Sequence, residues 1–238
     1  MRFVVGNLGL NSRLRASVDE PVSIFVGDID NNNSLDQILT YYNQHKTYPL
    51  ISRDQLVKQL PAMRRQFLKY SNFKDVQLAD IVDASRQEKF IRMDAKMFAS
   101  VLVENNGNGK LTISPLPAEA QLFPIFSFAI DDLNEDGNFD IIAVGNFDAT
   151  QPEFGRYDAG YGIVLLGDGE QNFTPVRLQE SGFLVRGEGR DIKSVASESK
   201  GKIYLVARNN ESIKVFIKKS LKTASDSAEA RINKARKF

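Results

Sequence analysis

Two stretches of the chain place oxygen-bearing side chains at alternate positions, a pattern that suits a hard cation. The first loop runs from Asp28 to Asp36 and the second loop from Asp132 to Asp140. In such loops, alternate side chains and one backbone carbonyl supply most of the about six to eight oxygens that Ca²⁺ takes. The predicted ligands are Asp28, Asp30, Asn32, Ser34 and Asp36, followed by Asp132, Asn134, Asp136, Asn138 and Asp140.

The residues around each loop favour a calcium-binding turn between two strands. An EF-hand loop needs a carboxylate at its twelfth position and a helix after it, but these positions hold Leu39 and Ala143. Both loops run instead into apolar, β-branched stretches, and similar stretches precede them. The predicted strands are residues 22–26, 37–42, 126–130 and 141–146. An ordinary hairpin, in which Asp, Asn and Gly only permit the turn, is the alternative.

The two loops differ at the sixth position, where the backbone turns sharply. The second loop has Gly137 there, whereas the first has Asn33. Asparagine tolerates a left-handed conformation less well than glycine. We therefore expect the first site to be the weaker of the two.

Composition excludes several classes of function. The 238 residues, 42% of them hydrophobic, are enough for one large domain or two small ones, and a net charge of +1 gives no reason to expect nucleic acid as a partner. The chain has no cysteine, and the single His45 cannot build a multi-histidine metal site. No run of about 18 apolar residues predicts a membrane span, and the first residues do not resemble a signal peptide.

Internal repeats give the predicted architecture. Residues 4–7 (VVGN) match residues 143–146 (AVGN), the strand after the second loop, so the chain starts as if in the middle of a repeat. We expect the missing N-terminal repeats to belong to the same longer chain; a complete domain with a chance match is the alternative. Residues 100–113 parallel 162–175 as two strands around a glycine-rich turn.

Each repeat consists of two hairpins, the first turning at an acidic loop and the second at a glycine-rich turn. Together they make a four-stranded antiparallel unit, which is one blade of a β-propeller. The predicted fold is therefore all-β, a partial propeller over residues 1–217 with a mostly helical insertion in one blade. Its parts are a half blade 1–20, a blade 21–43 plus 99–118 interrupted by the insertion 44–98, a blade 122–180, and a last blade 181–217. Residues 218–238 are predicted to be a disordered basic tail.

Both acidic loops, the glycine-turn strands and the stretch 154–162 (FGRYDAGYG) resemble FG-GAP and VCBS repeats. Residues 115–121 (PLPAEAQ) narrow the similarity to bacterial relatives of cartilage acidic protein, which carry an ASPIC/UnbV region. The similarity extends from Arg2 to about Ile217. It implies an extracellular or cell-surface propeller of about seven blades, integrin-like, with calcium in the blade hairpins at the ten ligand positions above. Asn33 in place of glycine, and too few blades to close a ring, are departures from that pattern.

The resemblance leads to a first hypothesis, a non-catalytic calcium-binding module for adhesion to a surface protein or glycan. In this hypothesis calcium is structural, since it converts the repulsion of three carboxylates into a cross-link. A glycan hydrolase that uses two carboxylates is an alternative, with Glu153, Asp158, Glu188 and Asp191 as candidates. A scaffold subunit of a larger surface complex is another.

Overall fold

The computed structural model describes residues 1–83, 89–151 and 154–218. These residues are mostly β, in four antiparallel sheets. The chain forms two compact units. We call residues 12–98 the inserted unit, and residues 1–11 together with the chain from residue 99 onward the main unit.

Fourteen strands and three short α-helices are described. The strands are β1 (Arg2–Val5), β2 (Val22–Gly27), β3 (Asp36–Asn43), β4 (Lys46–Pro49), β5 (Ile91–Ala95), β6 (Val101–Asn105), β7 (Leu111–Pro115), β8 (Ile125–Asp131), β9 (Asp140–Gly145), β10 (Ile163–Gly167), β11 (Phe173–Val176), β12 (Gly189–Ser197), β13 (Gly201–Arg208) and β14 (Glu211–Ile217). The helices are α1 (Arg53–Gln59), α2 (Leu78–Ile81) and α3 (Leu178–Ser181), with 3₁₀ turns at Pro61–Arg64, Tyr70–Phe73 and Ala118–Gln121.

The main unit contains three sheets, which we call the first, middle and last sheets. Their strand orders are β1-β6-β7, β11-β10-β9-β8 and β12-β13-β14. The middle sheet packs its two faces into two separate cores. Ile141 and Leu165 meet Leu102 of the first sheet, whereas Ile142 and Val144 meet residues such as Ile192 of the last sheet. Every residue of β9 is consequently buried.

The inserted unit is built on one sheet of order β4-β3-β2-β5. Phe25 of β2 and Ile38 of β3 share a core with Leu56 and Leu60 of the helical segment and with Phe67. Helix α1 begins at a capping box in which the Ser52 side chain accepts a hydrogen bond from the backbone of Gln55. The unit therefore has its own hydrophobic core.

The strands of the middle and last sheets fall within two of the predicted segments. The blade predicted at 122–180 corresponds to the middle sheet, and three strands of the last sheet lie within 181–217. The match between residues 4–7 and 143–146 also has a structural counterpart, because β1 pairs with β6 as β9 pairs with β10.

The blade predicted from residues 21–43 and 99–118 is composed differently. β2 and β3 pair with β5 and β4, whereas β6 and β7 form a sheet with β1. The reason lies in the core of the inserted unit, since the apolar face of the β2-β3 hairpin is covered by side chains from residues 51–82 and by Phe90. The inserted unit begins at residue 12, whereas the predicted insertion begins at residue 44.

The finer prediction of a mostly helical insertion is not confirmed. Its described residues include β4, β5 and helical segments of only four to seven residues. The predicted tail lies outside the described residues, except for Lys218. None of the described helices has the length and apolarity that a membrane span requires.

Candidate metal-binding loops

Each acidic loop joins the two strands of an antiparallel hairpin. The first loop lies between β2 and β3, and the second lies between β8 and β9. The last strand pair before each loop is Gly27 with Asp36 and Asp131 with Asp140. This confirms the predicted order of strand, loop and strand, and it brings the first and ninth positions of each loop together at the hairpin mouth.

The first-position carboxylate organises the turn identically in both loops. In the first loop, Asp28 accepts hydrogen bonds from the backbone N–H of Asn32 at 3.0 Å and of Asn33 at 2.9 Å. In the second loop, Asp132 accepts from the N–H of Asp136 at 3.1 Å and of Gly137 at 2.9 Å. These bonds curl each loop around its first carboxylate.

The carboxylate at the ninth position of each loop accepts a hydrogen bond from the backbone N–H of the second position. Asp36 accepts a hydrogen bond from the N–H of Ile29 at 3.0 Å, and Asp140 accepts from that of Leu133 at 2.6 Å. Asp140 also accepts from the N–H of Gly167 on β10 at 2.9 Å. Both carboxylates are buried, at 5% and 0% exposure. Because an isolated buried carboxylate is costly, these groups need several donors or a cation nearby.

Backbone conformation completes the match between the loops. Asn31 and Glu135, at the fourth position, have φ of 60° and 63°. Asn33 and Gly137, at the sixth, have φ of 64° and 89°. The sequence-based expectation of a left-handed sixth position is confirmed. Nothing lies within 4 Å of a Cβ built at Gly137, so its conformation rather than space favours glycine there.

The first loop brings its three carboxylates together. Oxygens of Asp28, Asp30 and Asp36 lie within 4.8 Å of one another, and among the described residues this is the one such group of three or more acidic, histidine or cysteine side chains. Oδ1 of Asp30 is buried without a hydrogen-bond partner. A buried carboxylate oxygen without a donor costs free energy, which a cation at this point would offset. The residues present therefore fit a metal ion.

The second loop directs its side chains toward one another. Asp136 accepts hydrogen bonds from the Asn138 N–H at 2.8 Å and from the Asn134 side-chain amide at 2.9 Å. Two hydrogen bonds lower the pKa of the Asp136 carboxyl. The larger effect comes from the backbone N–H of Asn138 and the smaller from the side-chain amide of Asn134. Among the described residues, three carboxylates group within 4.8 Å in the first loop only; the expectation that the first site is the weaker stays a prediction.

Basic residues adjoin the second loop, a feature that sequence analysis missed. The Lys218 ammonium donates to the backbone carbonyl of Asp132 at 2.7 Å and lies 3.6 Å from the Glu135 carboxylate. At the end of β8, Asp131 accepts from Lys202 at 2.6 Å and from the Tyr204 hydroxyl. These partners come from β13 and from the end of β14, so only the folded sheet order reveals them.

Two of the carboxylates suspected of catalysis, Glu188 and Asp191, are held in hydrogen bonds. Burial raises the pKa of Glu188, but hydrogen bonds from the Asp148 N–H, Asn209 and Arg190 outweigh it and bring the pKa to about 2. A hydrogen bond from Ser127 lowers the pKa of Asp191. A general acid needs a raised pKa, which neither has. Asp158 is exposed, and Glu153 lies outside the described residues.

No family model, curated protein or solved structure matches the chain. The similarity to FG-GAP and VCBS repeats is therefore a resemblance of sequence motifs.

Proposed function

We propose that the chain is a non-catalytic calcium-binding repeat module, in which the acidic loops hold structural Ca²⁺. One observation carries the proposal: two loops in separate compact units share the same hydrogen bonds and left-handed positions. An ordinary hairpin needs neither three carboxylates nor the eight residues that connect the paired strands here, since most hairpin loops have about two to five residues. Crowding of carboxylates in one loop costs free energy, and its occurrence in two loops is best explained by a cation that both loops bind.

The first loop supplies the strongest case. Asp28, Asp30 and Asp36 offer three carboxylates within 4.8 Å, and Asp30 contributes an oxygen without another partner. Asn32 and Ser34 add neutral oxygens at the intervening positions, and a hard cation such as Ca²⁺ prefers oxygen ligands of both kinds. When bound, the ion would neutralise the carboxylates and join the two ends of the loop.

In the second loop, the ligands would be Asp132, Asn134, Asp136, Asn138 and Asp140. The Asp136 carboxylate and the Asn134 amide bond each other at 2.9 Å, so one of them must turn toward the ion. The nearby Lys218 ammonium also competes electrostatically with a cation. We therefore propose that the first loop binds Ca²⁺ at least as tightly as the second.

We further propose that the three sheets of the main unit are blades of a partial β-propeller, extracellular or at the cell surface. Successive sheets along the chain pack face to face, which suits radial repetition. Its partner would be a surface protein or glycan, bound through loops at the ends of the sheets. The helical segments of the inserted unit present exposed Lys58, Arg64 and Arg65 as a further contact element.

Calcium binding is tested by thermal unfolding in chelator and in millimolar CaCl₂, with isothermal titration calorimetry on the chelated protein. The decisive variant is Asp30→Asn, which removes one charge at the oxygen without a partner and disturbs none of the loop's described hydrogen bonds. We expect calcium to raise the unfolding midpoint of the parent by mass action, and Asp30→Asn to reduce that rise.

The matched control is Asp75→Asn, which removes one charge from the same unit outside the loop and should leave the calcium response unchanged. Binding heat and a midpoint shift that are both absent from the folded parent would refute the proposal. Equal shifts in the parent and in Asp30→Asn would instead assign the binding to a site other than the first loop.

A further inference from the structure

The second loop already has a cation beside it. The Lys218 side chain, at the end of β14, donates a hydrogen bond from its ammonium to the backbone carbonyl of Asp132 at 2.7 Å. The same ammonium lies 3.6 Å from the carboxylate of Glu135. Asp132 and Glu135 are the first and fourth residues of the loop. A positive charge of the chain itself therefore lies at the loop that is proposed to hold Ca²⁺.

The last sheet fixes the position of this charge. The backbone N–H of Lys218 donates to the carbonyl of Lys202 on β13 at 3.2 Å. Alternate residues of a strand share one face, and Lys214, Phe216 and Lys218 are half-buried while the residues between them are exposed. The Lys218 side chain, with 21% of its surface exposed, thus belongs to the inner face of the last sheet.

The other lysine near the second loop is neutralised by its own carboxylate. The Lys202 ammonium donates to Asp131 at 2.6 Å, and the Tyr204 hydroxyl donates to the same carboxylate. Lys218 instead contacts a backbone carbonyl and, at 3.6 Å, the half-exposed carboxylate of Glu135. Its charge is less completely neutralised, so it is the lysine that repels a cation in the loop more strongly.

We propose that Lys218 is the internal counter-ion of the second loop and that Ca²⁺ displaces its ammonium. The inference rests on the proposed calcium function and adds what regulates the second site. A divalent ion and an ammonium about 6 Å apart repel each other enough, even at the dielectric constant of water, to lower affinity about tenfold. Salt at physiological concentration reduces this to about threefold.

Binding of the ion and attachment of the ammonium therefore oppose each other, and each must weaken the other by the same factor. Lys218 would set the calcium concentration at which the second loop fills. Calcium would in turn release the Lys218 side chain from the loop. The first loop offers an internal comparison, because it has the same backbone hydrogen bonds while Oδ1 of Asp30 has no partner.

Hydrogen exchange read by mass spectrometry during a calcium titration follows both loops in one molecule. The calcium midpoint is read from residues 132–140 for the second loop and from residues 28–36 for the first. Lys218→Gln removes the charge and keeps a hydrogen-bond donor, whereas Lys218→Arg keeps the charge. Lys214→Gln is the matched control, because Lys214 lies on the same face of β14 but donates to the Leu184 carbonyl at 3.0 Å.

We expect the midpoint of the second loop to fall about three- to tenfold in Lys218→Gln. It should keep the parent's value in Lys218→Arg and Lys214→Gln, and the first loop should have one midpoint in all four proteins. Unchanged exchange in β9 and β10 shows that the variants are folded.

Lysine acetylation by an N-hydroxysuccinimide ester, mapped by mass spectrometry, tests the reverse direction in the parent. Calcium should raise the acetylation rate of Lys218 at least threefold and leave that of Lys214 unchanged. A rate at Lys218 that does not respond, while the second loop fills with calcium, would show that the ammonium is not displaced.

A second-loop midpoint that is equal in Lys218→Gln and the parent would overturn the inference and leave the calcium function intact. An equal shift in Lys214→Gln would also overturn it, since any loss of positive charge from β14 would then suffice. So would a calcium response confined to the first loop in every protein. If neither loop responded in any protein, the calcium function itself would be refuted, and the inference with it.

Discussion

Asp28 and Asp132 make the same pair of hydrogen bonds in two different units of the chain. Each carboxylate accepts from the backbone N–H of the fourth and fifth residues that follow it, at 2.9 to 3.1 Å. The two loops share this geometry although their sheets have different strand orders. The loop is therefore a local structure, encoded by its own residues rather than by the sheet in which it sits.

Removing the organising carboxylate should destabilise the first loop even without calcium. Asp28→Ala removes the two exposed hydrogen bonds from the N–H groups of Asn32 and Asn33 that hold the turn, at a net cost of about 0.5–1.5 kcal/mol each. Asp30→Ala removes an oxygen that has no partner and relieves repulsion, so it should be neutral or stabilising in chelator. Urea unfolding in chelator measures both. Equal destabilisation by the two variants would contradict this division of roles.

The sixth position of the second loop should be sensitive to backbone conformation alone. Gly137 has φ of 89° in open surroundings, so Gly137→Ala should lower the free energy of unfolding by about 1–2 kcal/mol without any steric collision. Gly137→Asn reproduces the first loop and should cost less, since asparagine tolerates this region better than alanine. Chemical unfolding of the two variants checks the order, and a smaller cost for alanine would refute it.

Acid should lower the free energy of unfolding of the main unit, because the Glu188 carboxylate becomes protonated. Its pKa is about 2 in the folded protein and about 4.5 when unfolded, so its contribution is present above about pH 4.5 and is lost as the pH falls toward 2. Glu188→Gln removes the charge that faces Arg190 at 3.0 Å, and should cost about 1.5–3 kcal/mol at neutral pH.

The measurement for Glu188 is the free energy of unfolding between pH 2 and pH 7. Glu188→Gln should show a flatter dependence than the parent over the acid range. Glu198→Gln, in an exposed turn, serves as the control and should follow the parent. A variant with the same slope as the parent would show that Glu188 does not contribute to the acid response.

The core of the inserted unit and the core between the middle and last sheets should respond separately to large-to-small substitutions. Leu56 is fully buried in the core of the inserted unit, and Ile192 is 1% exposed in the core between the middle and last sheets. Alanine at either position should cost about 2–5 kcal/mol. Hydrogen exchange read by mass spectrometry should show faster exchange within residues 12–98 for Leu56→Ala, and within β12 and β13 for Ile192→Ala. Faster exchange throughout the chain in both variants would contradict separate cores.

Much of the local structure follows from the sequence. The apolar stretches beside the two loops are strands, the loops are hairpin turns, and Asn33 has the left-handed backbone expected at its position. The similarity of residues 4–7 to 143–146 predicts a strand at the start of the chain, and β1 lies there; its pairing with β6 was not predicted, since residues 101–105 belong to a different predicted blade. Each of these features depends on residues that are close in sequence or on direct repetition.

Strand partners were harder to predict. Alternation in β2 shows that one face is buried but not what buries it, and its neighbour β5 lies more than sixty residues further along the chain. Leu56, Leu60 and Phe67 have helical spacing, which says nothing of the sheet against which they pack. The partners Lys202 and Lys218 of the second-loop region were missed for the same reason, since tertiary contacts bring them there.

The pairing of β1 with β6 has a consequence for how the chain can be edited. Val5 lies opposite Val101, and the N–H of Asn7 donates to the Ser100 hydroxyl at 3.1 Å, so the chain leaves and re-enters the main unit at neighbouring points. A short turn can span that gap. We expect a chain in which a few glycine and serine residues replace residues 12–98 to fold and to unfold cooperatively. The junction would then be a permissive site for inserting other domains. Failure of that chain to fold would show that the main unit depends on the inserted unit.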